Sequence, residues 1–182
     1  KILINSFYGM MGAAGVTPFA DLLSAQGITC NGRQQLRHFI KWFTERGFVA
    51  TIAHTDGVFF SYGTADLSYK YVGRGKNWLV TKDKEYVGIA AYVAEYNDLY
   101  LKGIMGLDID EIVKSVINFS KGNYVYLKNK KDKDGKEKEV FEVVGGAIIK
   151  KNQSEYISEF SNEIIMKLLQ NKPLEALNYY WD

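Results

Sequence analysis

The 182-residue chain predicts an α+β fold with an antiparallel sheet and packed helices. Three observations carry this. Helical periodicity marks both ends of the chain, Asp-Gly pairs separate β-branched and aromatic runs at two places, and the order is helix, hairpin, helix, strands, helices rather than strict alternation of strand and helix. Hydrophobic residues make up 47% and charged residues 24%, as in a globular domain with a buried core, which argues against disordered, collagen-like and coiled-coil chains.

The elements follow in order. From Lys1 no breaker occurs before Gly9, and Lys1, Asn5 and Tyr8 recur at spacings of four and three, on one helix face. Three polar or amphipathic residues on one stripe is unusual for a core face. The stretch Gly9 to Gly15 is expected to break that helix before Thr17 and Pro18. A second helix is expected from about Gly32 to Arg46, with Leu36, Phe39, Ile40 and Phe43 on its apolar side and Gly47 as its stop. Its other side carries Arg33, Arg37 and Lys41, a pattern that a solvated face explains. Phe48 to Ile52 and Val58 to Tyr62 read as two strands, and the Asp56-Gly57 pair between them signals a tight hairpin with Asp56 at or beside its tip. His54 stands next to this turn, where a structural role is the ordinary one.

Residues 64–106 form a Gly- and Tyr-rich excursion, with short strands at Tyr69 to Val72 and Trp78 to Thr81 and a helical piece near Ala90 to Leu101. Asp108 to Ser120 reads as a helix, with Asp108 as N-cap, Glu111 closing a capping box, and Leu107 against Ile112 as a hydrophobic staple. Tyr124 to Leu127 and Val140 to Val144 read as strands joined by Lys128 to Glu139. That connector holds six lysines against four acids, with Asp134-Gly135 at its turn, and reads as a solvated hairpin tip. A third strand is expected at Ala147 to Ile149, followed by Lys150 and Lys151. Ser154 then caps a helix to about Gln170, and Pro173 opens another reaching Trp181.

The net charge is only +2, from 23 basic and 21 acidic residues, so bulk charge makes no case for a nucleic-acid partner and any basic surface must be local. One cysteine, Cys30, excludes an intramolecular disulfide framework and fits a reducing compartment; it reads as a small loop or core residue. No apolar run is long enough to span a membrane and no signal-like segment opens the chain, so the expectation is a soluble, cytoplasmic protein without a membrane partner. The first residue is Lys rather than Met, which suggests a fragment, a processed chain or an excised domain.

Two motifs carry chemistry in combination. Lys1-x-x-x-Asn5-Ser6-x-Tyr8-Gly9 matches in full the K-x-x-x-N-S-x-Y-G signature of family B DNA polymerases, and Ile52-Ala53-His54-Thr55-Asp56-Gly57 resembles that family's Y-x-D-T-D-S hairpin, in the same order along the chain. A helix presenting Lys1, Asn5 and Tyr8 can set an ammonium against a triphosphate, with an amide and an aromatic ring beside the sugar and base. The resemblance implies that Asp56 is the catalytic carboxylate, coordinating metal ions that activate the primer 3′-hydroxyl and steady the pyrophosphate, and that Thr55 lies against the DNA. A hairpin tip is a rigid mount for such a group. Where the family has its first hairpin Asp this chain has His54, which could contact the primer or tune a metal, and the terminal Ser is Gly57.

Lys121-Gly122-Asn123-Tyr124 resembles the family's primer-gripping K-K-R-Y motif, with Gly122 in place of the second Lys. Lys121 and Tyr124 then bind phosphate or sugar, or else form a strand start with one exposed Lys. Gly145 to Lys151 resembles the G-x-x-x-x-R-R-D segment, which makes Lys150 and Lys151 candidates for backbone contacts to DNA. The resemblance implies residues 1–152 as the C-terminal palm region, with 1–9 as the nucleotide-binding helix, 48–62 as the catalytic hairpin and 64–106 as a variable insertion, and residues 153–182 as the start of the thumb.

The implied function is template-directed DNA synthesis by two-metal nucleotidyl transfer, with template-primer DNA and dNTP as partners and two Mg²⁺ as cofactors. One Asp cannot hold two Mg²⁺, and the family's other essential Asp lies in a D-x-x-S-L-Y-P motif that these residues lack. The expectation is therefore a partial polymerase, inactive alone, that shares its metals with a carboxylate outside this chain. Its partner is an upstream fragment with the exonuclease, the fingers and that motif, and the gene is split, intein-interrupted or truncated, with a phage or mobile element as its source. The rival readings are a catalytically degenerate, polymerase-derived DNA-binding module and an unrelated α+β interaction domain.

Overall fold

The structure, a computed structural model, describes residues 2–54, 57–76, 82–131, 137–145 and 154–181. It divides into two compact units, residues 1–103 and 104–182.

In the first unit, helix α1 spans Ile2–Gly12 and α2 spans Leu22–Thr44. Both exceed the expected bounds. Helix α1 runs through Gly9, and α2 begins ten residues before Gly32, passing through Gly27 and Gly32. Asp21 explains the early start, since its carboxylate accepts from the Ser24 amide at 3.1 Å and the Ser24 hydroxyl at 2.5 Å and so caps the helix. At the far end Gly47 takes a left-handed φ of 90°. Its amide donates to the Thr44 carbonyl and that of Phe48 to the Phe43 carbonyl, which closes the helix as expected.

Strands β1 (Val49–His54) and β2 (Gly57–Ser61) then form the antiparallel hairpin the sequence foretells. Strand β3 (Lys70–Gly73) pairs antiparallel with β4 (Lys84–Val87), a strand with no clear sequence signal, and helix α3 (Ile89–Tyr96) runs on into a π-helical turn at Asn97–Leu101. The expected strand at Trp78 to Thr81 lies outside the described residues.

An aromatic core holds this unit together. Trp42, Phe43 and Phe48 are buried, as are Tyr92 and Tyr96 of α3. Phe60 of β2 meets Phe39 edge-on at 5.5 Å and lies 5.1 Å from Phe43, while Tyr92 meets Phe48 edge-on at 5.1 Å. Such ring pairs add to the free energy of area burial, and they fasten the base of the hairpin to both helices.

The second unit corrects the sequence reading, first at residues 108–120. Residues 108–114 hold no helix, and Ser115–Ser120 is strand β5, paired antiparallel with β6 (Asn123–Lys131). The capping residues are used otherwise: the Asp108 carboxylate accepts from the adjacent Ile109 amide, and Glu111 pairs with Lys128. The run of β-branched residues suits a pleated strand as well as a helix face, and pairing with β6 decides between them. Ile117 thereby packs against the buried cluster Val125, Leu127, Ile165 and Leu169.

Strand β7 (Glu137–Val144) pairs with the other edge of β6, giving the order β5-β6-β7. The lysine-rich connector is therefore largely strand, with Lys128 opposite Val140 and Lys130 opposite Lys138, and its turn at Asp134-Gly135 lies outside the described residues, as does the expected strand at Ala147 to Ile149. Helix α4 (Glu155–Leu169) is capped by Ser154 and followed by α5 (Pro173–Trp181), both as expected. Together the helices and antiparallel sheets make an α+β protein.

Candidate active site

The candidate residues of the first unit sit on α1 and the β1–β2 hairpin. Asn5 and Tyr8 are both exposed on α1, Tyr8 at 39%, and their spacing of three puts them on one helix face. The end of α1 is pinned by the chain that follows it: the Thr17 hydroxyl donates to the Met10 carbonyl at 2.7 Å, and the Asp21 amide donates to the Met11 carbonyl at 3.0 Å. Asp21 thus both caps α2 and holds α1 beside it. Lys1 lies outside the described residues.

In the hairpin the last paired residues are His54 and Gly57, and Thr55 and Asp56 lie outside the described residues. Behind the pair the register shifts between Ala50 and Ile52, leaving Thr51 as a bulge whose hydroxyl donates to the Phe59 carbonyl at 3.0 Å. A bulge bends a strand and raises its twist, and so re-aims what lies beyond it. The direction of the hairpin end is thus set by Thr51 on one side and by the buried Phe48 ring and the half-buried Phe60 ring on the other.

In the second unit Lys121 and Gly122 make the two-residue turn between β5 and β6, closed by the pair Ser120–Asn123. Gly122 has φ 77°, a left-handed conformation that a side chain adopts only with strain. Lys121 is exposed at that turn. Tyr124 follows on β6 and stacks on Tyr126, ring centroids 6.3 Å apart. Lys150 and Lys151 lie outside the described residues.

Sequence reasoning missed two polar networks. On the face of the β5–β7 sheet that carries Tyr124, the Tyr126 hydroxyl donates to Glu142 at 2.6 Å, and Lys128 bridges Glu142, at 2.6 Å, and Glu111. Lys128 holds the Glu142 carboxyl below its usual range, and burial followed by the bond to Glu142 pushes the Tyr126 phenol up. With two carboxylates on its ammonium, Lys128 is committed to the sheet rather than to a phosphate.

The other network joins β3 to α3: Tyr69 donates to Glu95 at 3.1 Å, and Tyr71 donates to Asp98 at 3.1 Å. Tyrosines two apart, at the start of a strand, and acids three apart at the end of a helix were the signal available. Among the described residues no group of three or more His, Cys, Asp or Glu side chains is placed to hold a metal ion, and no helix there is long and apolar enough to cross a membrane.

The described part of the first unit is an antiparallel hairpin fastened by aromatic packing to helices α2 and α3, with α1 pinned beside α2. A family model described as DNA polymerase family B matches residues 1–179, and the chain belongs to that family. It is also similar to DNA polymerase 1 of Saccharolobus solfataricus strain P2, with 25% identity over 189 aligned positions that cover 97% of this chain and 21% of that protein. The chain thus spans about a fifth of the length of the curated relative it matches.

Proposed function

We propose that the chain is the C-terminal catalytic section of a DNA-directed DNA polymerase, with residues 1–152 as palm and 153–182 as the start of the thumb. The observation that carries the reading is the bulged, aromatic-anchored hairpin whose pairing ends at His54 and Gly57, the residues that flank Thr55-Asp56 in the sequence. Lys1 neutralises the triphosphate of an incoming dNTP, and Asn5 and Tyr8, exposed on α1, lie against its sugar and base. Lys121, Tyr124, Lys150 and Lys151 grip the template-primer backbone, and Thr55 lies against the primer end. Placed lysines of this kind bind DNA without reading sequence.

Asp56 supplies the oxygen ligand that Mg²⁺ prefers, so the residue present fits the metal, yet one carboxylate does not hold two ions. The pair is shared with a carboxylate on an upstream section of the polymerase, which also brings the exonuclease and fingers. Bound there, magnesium supplies charge neutralisation and an activated primer hydroxyl. The protein works in the host cytoplasm or nucleoid, as a phage or mobile-element polymerase does.

The test is primer extension by the chain combined with the upstream section in Mg²⁺. Asp56→Asn is expected to lower turnover by roughly 10³-fold or more, the equivalent of several kcal/mol of transition-state stabilisation, and the isolated chain to show none. Full turnover by Asp56→Asn would instead establish the second reading, a degenerate DNA-binding module, which His54 in place of an acid favours.

A further inference from the structure

A second candidate site is built from residues that belong neither to α1 nor to the hairpin. Between α2 and the end of α3 is an open cleft of about 320 Å³, lined by Gln34, Gln35, His38, Tyr96, Tyr100 and Leu101, a volume at the small end of ligand pockets. Its floor is built. Tyr96 is 2% exposed, and its hydroxyl shares a 2.9 Å hydrogen bond with His38 Nδ1. Burial first, then the neighbouring Tyr100, pushes that phenol up to about 12, so it stays protonated and holds the imidazole in place. The edge of the cleft is Tyr100, which meets His38 edge-on at 4.6 Å and lies 5.0 Å from Tyr96, yet keeps 49% of its surface exposed.

The backbone beneath Tyr100 is the π-helical turn Asn97–Leu101, where the Lys102 amide reaches back to the Asn97 carbonyl at 2.8 Å and Lys102 itself turns left-handed. Such wide turns are uncommon and recur at functional sites. Along the cleft runs a polar row with two cations: Gln34, Arg37, His38 and Lys41 fall at i, i+3, i+4 and i+7 on α2, hence on one face. Arg37 is exposed and enters no ion pair among the described residues, while Lys41 is only loosely paired with Glu45 at 3.9 Å.

We infer that this cleft is a binding subsite for one unpaired nucleotide of a single DNA strand, the base stacking on Tyr100 and the phosphate meeting Arg37. A half-exposed ring beside an imidazole, two amides for a base edge and a cation one helical turn away are the components of sequence-tolerant single-strand binding. Lysine or arginine rows without a ring would grip only backbone, and an aromatic cleft without cations would favour an uncharged ligand. The choice of nucleic acid rests on the polymerase reading, and the site adds to it a hold on an unpaired stretch of DNA strand.

The test titrates the 182-residue chain with labelled tetrathymidylate, with an abasic tetramer and with thymidine monophosphate, by fluorescence anisotropy and by NMR of the His38 ring protons. Tetrathymidylate is expected to shift those protons, and Tyr100→Ala to weaken its binding at least about fivefold, the lower bound for one stacked base. Arg37→Ala is the second variant, expected to weaken the tetramer and leave its salt dependence shallower. Equal binding of tetrathymidylate by wild type and Tyr100→Ala, equal binding of the abasic tetramer, unmoved His38 protons, or monophosphate binding as tight as the tetramer each overturn the proposal. Asp56-dependent extension with any of these results sinks only this site, whereas Tyr100-dependent binding with Asp56-independent extension sinks only the catalytic reading.

Discussion

The Tyr71 hydroxyl donates to Oδ2 of Asp98 at 3.1 Å, and the Arg74 amide donates to the same oxygen at 2.9 Å, while Oδ1 of Asp98 is buried with no hydrogen-bond partner. One carboxylate oxygen thus joins strand β3 to the π-helical turn. Gly73 lies so close to it that an added methyl would collide with Oδ2 and with the Tyr71 ring. Tyr71→Phe is expected to cost about 1 kcal/mol, and Gly73→Ala to cost more, since it displaces the carboxylate as well as losing the bond. Urea denaturation of the two variants checks the order.

The same tyrosines set an alkaline limit. Burial, then the Asp98 bond, pushes the Tyr71 phenol from its ordinary 10.0 up to about 12, and burial does the same to Tyr96. An acid whose folded pKa is raised keeps its proton in the native state after the unfolded chain has lost it. Its contribution is whole below pH 10 and is lost as pH climbs towards about 12. Thermal melts from pH 9 to 12 should show stability falling across that window, and Tyr71→Phe should flatten part of the fall.

At the other end of the scale Glu142 titrates in the opposite sense. Lys128 first, then Tyr126, holds its carboxyl below the usual 4.5, so its contribution is present above that value and is lost as pH falls through the depressed one. Lys128→Met leaves Glu111 and Glu142 facing each other without their shared cation. The melting temperature of that variant is expected to fall at pH 7 and to recover partly at pH 4, where protonation of Glu142 relieves the repulsion. Circular dichroism melts at the two pH values decide it.

Gly47 tests the placement of the hairpin on α2. With φ at 90°, and with Thr64 Oγ1 2.7 Å from where a Cβ would stand, Gly47→Ala suffers both backbone strain and a clash. A loss of about 1–3 kcal/mol is expected, and differential scanning calorimetry would show it as a lower transition temperature. A neutral substitution would mean that the α2–β1 junction is not as described.

The β5–β6–β7 sheet against α4 is tested at Leu127, which is 2% exposed. Leu127→Ala is expected to cost about 2–5 kcal/mol by lost burial and cavity formation. Val116, which faces the other side of the sheet opposite Tyr126, should tolerate Thr with a far smaller effect. Ile117, which packs on the core, should be far less tolerant than its neighbour Val116, as the two-residue period of a strand requires.

What the sequence by itself determined is local. A Ser N-cap starts α4, Pro opens α5, Gly47 stops α2, and the hairpin carrying Asp56 announces itself through its turn residues, because caps and turns are made by groups a few residues apart. The Lys1–Gly9 motif and Asp56 enter the proposal for the same reason, as residue types at short spacings. Tertiary structure decided the rest. The apolar spacing of Ile109, Ile112, Val113, Val116 and Ile117 satisfies a helix, and only the hydrogen bonds offered by β6 and the core that receives Ile117 make 115–120 a strand. Gly27 and Gly32 argue against helix locally, yet Asp21 and the packing of the Trp42–Phe43 end carry α2 through them. The His38–Tyr96 cleft joins residues 58 positions apart, and the Tyr71–Asp98 bond joins residues 27 apart. Contacts at those separations exist only once the chain has closed the loops between them, and no short window of sequence holds both partners.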